Sequence, residues 1–351
     1  MPDVPSPEPR AVSGDSAPDS PDRGESSLGR PRWGAAHVLA SLLALAALVV
    51  AGCGASITDL QGSTGTDADV PRYPGGIKVA FGPYAIPANS DAIWGLKTTL
   101  NTFHAFFDAN AVRLAMNPGA CNALVLARTD TLRPLDSLTV DLSDPDWSIW
   151  YPLFVAGQDT LTWELPAHTA LHIGYHPGLD VRAHYLSIPS APVTGARVKL
   201  AATVRRFDEP DAPSFLVGTL VAERHDFSLP PHQTTTLIQD VAVPYATKLL
   251  GLLGEYHRWG TGMTVDVLDR SGAQLARVYQ VTGVRPSFRS FTDPVQVPEG
   301  GIIRITATYK NDTDAAILPG PKWDGQEAFR LIAFHSGKPQ PAEIAHWVFQ
   351  R

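Results

Sequence analysis

The sequence predicts an all-β chain built as two consecutive antiparallel β-sandwiches, and three observations carry that expectation. Apolar residues come in short runs rich in β-branched and aromatic side chains, separated at turn-like intervals by Asn117-Pro118-Gly119, His176-Pro177-Gly178, Arg270-Ser271-Gly272 and Pro298-Glu299-Gly300-Gly301. The 31 Pro and 29 Gly among 351 residues suit many turns and few long helices. The length exceeds what one sandwich needs, so two follow. A net charge of -7 with no basic run excludes nucleic acid as a natural partner.

Residues 1–34 are Pro, Ser, Asp and Arg without hydrophobic period, a composition that stays disordered. Arg30 and Arg32 then flank the apolar run Ala35 to Ala51, which ends in Val50-Ala51-Gly52-Cys53. A basic flank, an apolar stretch and this ending resemble a bacterial lipobox, so residues 1–52 read as a leader plus lipoprotein signal, with Cys53 acylated. The run is also about long enough to span a bilayer as a simple anchor. Either way the rest of the chain lies outside the cytoplasm, held to the membrane, and Gly54 leaves it free to reach an outer membrane in a diderm cell. If Cys53 carries lipid, Cys121 is the one remaining cysteine, and no intramolecular disulfide is possible.

Residues 53–75, mostly Gly, Ser, Thr and Asp, read as a solvated tether. Strand-like segments follow at Ile77 to Ala80, Val112 to Met116, Ala123 to Ala127, Ser137 to Leu142 and Ala196 to Val204. They continue at Leu237 to Val243, Met263 to Leu268, Ile302 to Tyr309 and Phe329 to Phe334, while Thr98 to Asn110 alone carries a helical period. Asp208-Glu209-Pro210-Asp211-Ala212-Pro213 is acidic with two prolines and cannot be a central strand. It is the expected linker, 208–213, between a first domain at 76–207 and a second at 214–351.

Three stretches resemble, in order, the copper type II, ascorbate-dependent monooxygenases, the family of peptidylglycine α-hydroxylating monooxygenase and dopamine β-monooxygenase, and in particular its bacterial lipoprotein relatives. They are Leu165-Pro166 through Arg182-Ala183-His184-Tyr185, Leu229-Pro230-Pro231-His232 through Glu255-Tyr256-His257-Arg258-Trp259-Gly260-Thr261-Gly262-Met263, and Tyr309-Lys310-Asn311-Asp312 through Ala342-Glu343-Ile344-Ala345. The resemblance implies two jelly-roll-like sandwiches with copper sites facing each other across a cleft. One copper would sit on a His-His pair plus the His of His-Tyr, the other on His-x-His plus a Met.

Residue by residue, His184 matches the His of His-Tyr and His257 the second His of His-x-His. Glu255 stands where the first would be, Cys121 and Asn122 where the His-His pair would be, and Ile344 where the Met would be. A carboxylate is a harder ligand than imidazole, and the thioether that suits reduced copper is lost. Two functions are therefore open. One is a catalytically degenerate, surface-anchored binding or structural module, with room for a small-molecule ligand. The other is a copper monooxygenase with altered ligands drawn from His184, Glu255, His257 and Cys121. In the first, a strand through Glu255-Tyr256-His257 would set carboxylate beside imidazole and raise the histidine's pKa.

His168, His172 and His176 would share one strand face and could take a metal, or they are solvent-facing residues on a hairpin arm and its turn. No Gly-x-Ser-x-Gly elbow supports a serine hydrolase. Of the tryptophans, Trp147 and Trp150 lie in a loop-like stretch suited to ligand stacking, although core packing is the ordinary role of such residues.

Overall fold

The computed structural model describes residues 77–88, 91–99, 107–116, 120–128, 136–140, 144–157, 161–174, 178–186, 193–205, 215–283, 287–322, 325–336 and 346–350. All regular structure among them is β. Cys53, His176, Ile344 and the 208–213 linker lie outside the described residues, as does the side chain of Cys121. The helical period expected at Thr98 to Asn110 is replaced by strand at its described ends, up to Thr99 and from Phe107, and residues 100–106 lie outside the described residues.

Ten strands precede the linker: β1 (Ile77–Ile86), β2 (Asp91–Thr99), β3 (Phe107–Met116), β4 (Ala120–Arg128), β5 (Asp136–Val140), β6 (Trp150–Ala156), β7 (Leu161–Glu164), β8 (Thr169–Gly174), β9 (Gly178–Leu186) and β10 (Val193–Arg205). One sheet runs β1-β10-β3-β8 with β7 also on β3, and the other runs β5-β2-β9-β4-β6. Setting aside the added β5 and β7, the eight remaining strands fall in the order first-eighth-third-sixth and second-seventh-fourth-fifth, which is a jelly roll.

After the linker come β11 (Phe215–Leu216), β12 (Gly218–Glu223), β13 (Gln233–Ala242), β14 (Thr247–Glu255), β15 (Gly260–Leu268), β16 (Gln274–Thr282), β17 (Arg289–Val297), β18 (Ile302–Asn311), β19 (Leu318–Pro319), β20 (Gln326–Glu327), β21 (Arg330–Ser336) and β22 (His346–Gln350). The sheets β12-β21-β14-β17 and β13-β18-β15-β16 repeat the same jelly-roll order, with β22 added beside β12. β11 instead runs parallel to β8, and two residues later the chain enters β12. The crossing between the two sandwiches is thereby built into their sheets.

The sheet carrying β12, β14 and β21 is apolar on both faces. Leu220, Ala222, Leu249, Leu252, Leu331 and Ala333 belong to the core of the second sandwich. Their strand neighbours Val221, Leu250, Leu253, Ile332 and Phe334 belong to the core that contains the first sandwich. Period-two alternation sends successive side chains to opposite faces, so one sheet serves two cores. The second face forms a seam, where Trp163 meets Phe334 at 5.0 Å and Phe288 at 5.2 Å between ring centroids. Trp147 and Trp150 are buried in that first core and do not project as loop-tip platforms.

Candidate functional site

Strand register builds the site at the polar end of the seam. β12 ends at Glu223, β21 begins at Arg330 and β14 ends at Glu255, and antiparallel pairing sets Glu223 opposite Arg330 and Glu255 opposite Arg330. Each shares its strand face with seam residues two positions away, Val221, Ile332 and Leu253. A row of carboxylate, guanidinium and carboxylate therefore crosses three strands on the seam side. The first sandwich answers with a row of its own, Ile93 on β2, His184 on β9 and Asn122 on β4, again set by pairing.

The two rows bond to each other. Asn122 donates from Nδ2 to Glu255 Oε1 at 2.9 Å, and Arg330 Nη1 donates to Glu255 Oε2 at 2.8 Å. Arg330 also donates through Nε to Glu223 and through Nη2 to Asp144 of the first sandwich. Its guanidinium carbon lies 5.7 Å from the centroid of the Trp147 ring, whose Nε1–H donates to Glu223 Oε2 at 2.8 Å. His184 holds Asp91 through Nε2 at 2.6 Å, and its ring stands edge-on to His257 at 6.1 Å between centroids.

The charges explain the protonation of each group. Burial alone would raise Glu223, but the Arg330 charge and bonds from His225, Trp147 and Arg330 hold it down at about 2. Burial likewise works against the Glu255 anion, and Arg330, His257 and His184 outweigh it, so its pKa is lowered. For Arg330 burial opposes the cation, while Glu223, Glu255 and Asp144 raise its pKa well above the usual value. It is a permanent cation.

His257 corrects the expectation drawn from its spacing to Glu255. Burial lowers its pKa to about 4, and the nearby Glu255 charge, which acts upward, does not compensate. The imidazole is neutral at pH 7. β14 stops at Glu255, and His257 falls in the following turn with only 2% of its surface exposed. Glu327 pins that turn: its carboxylate accepts from the backbone N–H of His257, and from those of Trp259 and Ala328 at 2.9 Å each. Burial nevertheless pushes Glu327 up to about 7. Gly260 closes the motif for a steric reason, because a Cβ there would overlap the ring of the buried Tyr256.

His184, Glu255, His257 and Asn122 thus come together. Cys121 lies beside Asn122 on β4, where the pairing with β9 shifts register. Of the histidine arm's two described members, His168 is exposed in a turn, and His172 bonds the buried Asp108 through Nδ1 at 2.9 Å. Sequence reasoning missed Arg330, Glu223, Asp144 and Asp91. A signal was present, since the apolar run of β12 ends at Glu223, that of β14 ends at Glu255 and that of β21 begins at Arg330.

These residues do not fit copper. Both oxygens of Glu255 already accept hydrogen bonds, one from a guanidinium that would repel a divalent ion. Among the described residues no group of three or more His, Cys, Asp or Glu side chains is arranged to hold a metal. Two small, partly open depressions flank the row, and both are lined by Ile93, Asp144, Glu255 and Arg330.

No protein-family model and no curated protein matches the chain. Among solved structures, the major capsid protein P2 of bacteriophage PM2 is similar at 8% identity and a TM-score of 0.31, covering 72% of this chain and 100% of that one. The VP2 subviral particle of infectious bursal disease virus is similar at 11% identity and a TM-score of 0.21, covering 84% and 86%. Likeness this slight carries no functional inference, and the jelly-roll assignment stands on strand order alone.

Proposed function

We propose that this chain is a lipid-anchored, extracytoplasmic lipoprotein with the architecture of the copper type II monooxygenases, in which the catalytic coppers have been lost and the twin sandwich serves as a binding or structural module. The observation that supports this reading is the state of Glu255. At the position of a copper imidazole stands a carboxylate with both oxygens taken, one by Asn122 and one by Arg330. Hydroxylation of a C–H bond in this family needs both coppers, and Glu255, at one ligand position of the second, is committed to a salt bridge with Arg330.

Metal content is the test. Purified full-length chain, loaded with copper and dialysed, should retain no stoichiometric metal. Two coppers per chain, lost in His184→Ala and His257→Ala, would favour the active monooxygenase instead. Metabolic labelling with a fatty-acid analogue tests the anchor: label should disappear in Cys53→Ala, and equal labelling of both forms would rule out the lipid.

A further inference from the structure

We propose that the seam contains a binding site for one planar guanidinium cation, formed by Asp144, Glu223, Glu255 and the face of Trp147, and that the chain fills it permanently with its own Arg330. The geometry is that of a ligand site. Nε, Nη1 and Nη2 of Arg330 each address a different carboxylate, and its guanidinium carbon lies over an indole ring. Two of the carboxylates come from β12 and β14, while Asp144 comes from the other sandwich, so the cation joins both bodies.

The other partners of the carboxylates are placed as well. Asn122 and Trp147, both from the first sandwich, hold the second oxygens of Glu255 and Glu223. Two of the three carboxylates are thus held by donors other than the cation. Around it stand three carboxylates against one guanidinium, with His225 near Glu223 at 3.4 Å. That imbalance makes the cation indispensable, because without it three carboxylates would face one another at a largely buried seam. A lysine cannot replace it: an ammonium is a point charge and cannot present three separated donors in a plane.

This inference rests on the reading of the seam as metal-free, and the tests separate the two. In Arg330→Ala the melting temperature should fall on the order of 10 °C. Millimolar guanidinium should restore much of the loss, while urea, its neutral isostere, and sodium chloride at equal ionic strength should not. Arg330→Lys should fold with a melting temperature between those of wild type and Arg330→Ala, which gives a readout if the alanine variant is not recovered. Rescue by sodium chloride or urea as strong as by guanidinium, or a lysine variant as stable as wild type, would overturn the guanidinium site alone. Stoichiometric copper on the unaltered chain would overturn both readings.

Discussion

The side chain of Asn122 on β4 donates to Glu255 at the end of β14 at 2.9 Å, a bond between two sandwiches and across 133 positions of sequence. On the proposed likeness to the copper type II monooxygenases, both residues stand where copper-binding histidines would be. Here they bond to each other.

Replacing Asn122 with Ala should leave Glu255 Oε1 without its donor at a largely buried seam, at a cost of about 1–2 kcal/mol. Asn122→Asp should cost more, since it sets two carboxylates face to face. Urea denaturation of the three proteins checks both the size and the order. Asn122→Asp as stable as Asn122→Ala would mean that the contact is wet and unimportant.

Stability should fall on the acid side through His257. Its folded pKa of about 4 lies below the unfolded value near 6.5, so the unfolded state binds the proton first. The contribution is complete above about pH 6.5 and is lost as pH drops toward 4, in total about 3 kcal/mol. Glu327, raised to about 7, acts in the opposite sense: its contribution is complete below about pH 4.5 and is lost as pH climbs through 7. The two windows overlap and their slopes cancel, so the two groups together should give a melting-temperature profile that is nearly flat between about pH 4.5 and 6.5 and falls on either side, and His257→Gln should turn that plateau into a decline from about pH 4.5 upward.

Phe334 sits on the seam face of β21 against Trp163 and Phe288, fully buried. Phe334→Ala should cost about 3–5 kcal/mol and loosen the coupling of the sandwiches. Calorimetry should then resolve two transitions where wild type shows one. A single transition at unchanged temperature would refute the seam packing.

His168 and His232 both adopt positive φ, 61° and 54°, a region that favours glycine. His168→Gly should gain about 0.5 kcal/mol, the relief of the backbone exceeding the added freedom of the unfolded chain. His232→Gly should gain less, because His232 Nε2 also pairs with the exposed Asp314 at 2.9 Å. Paired thermal melts would show the difference.

Strands with one wet face were legible in the sequence. β18 reads Ile302 to Asn311 with side chains alternating between half-exposed and buried, and its expected range nearly matches the observed one. β12 and β14 were not legible by period, because Gly218 to Glu223 is buried throughout and Thr247 to Gly254 is buried except at Lys248. A strand between two cores has no polar face to alternate with. His184, Glu255 and His257 could be singled out from short motifs, whereas Arg330 belongs to no motif and acquires its role from register alone.

Patterning along the chain, the alternation and the turn residues, determined that the described residues fold as β structure with two sandwiches' worth of strands, because side-chain period and backbone preference are local properties. Which charge meets which was decided only by the tertiary structure. Glu223, Glu255 and Arg330 are separated by 32 and 75 residues in sequence, and nothing local relates them until antiparallel pairing brings two strand ends to one strand start. The value of His257 was decided in the same way: sequence supplies the neighbouring carboxylate, but the burial that outweighs it exists only once the two sandwiches have closed on each other.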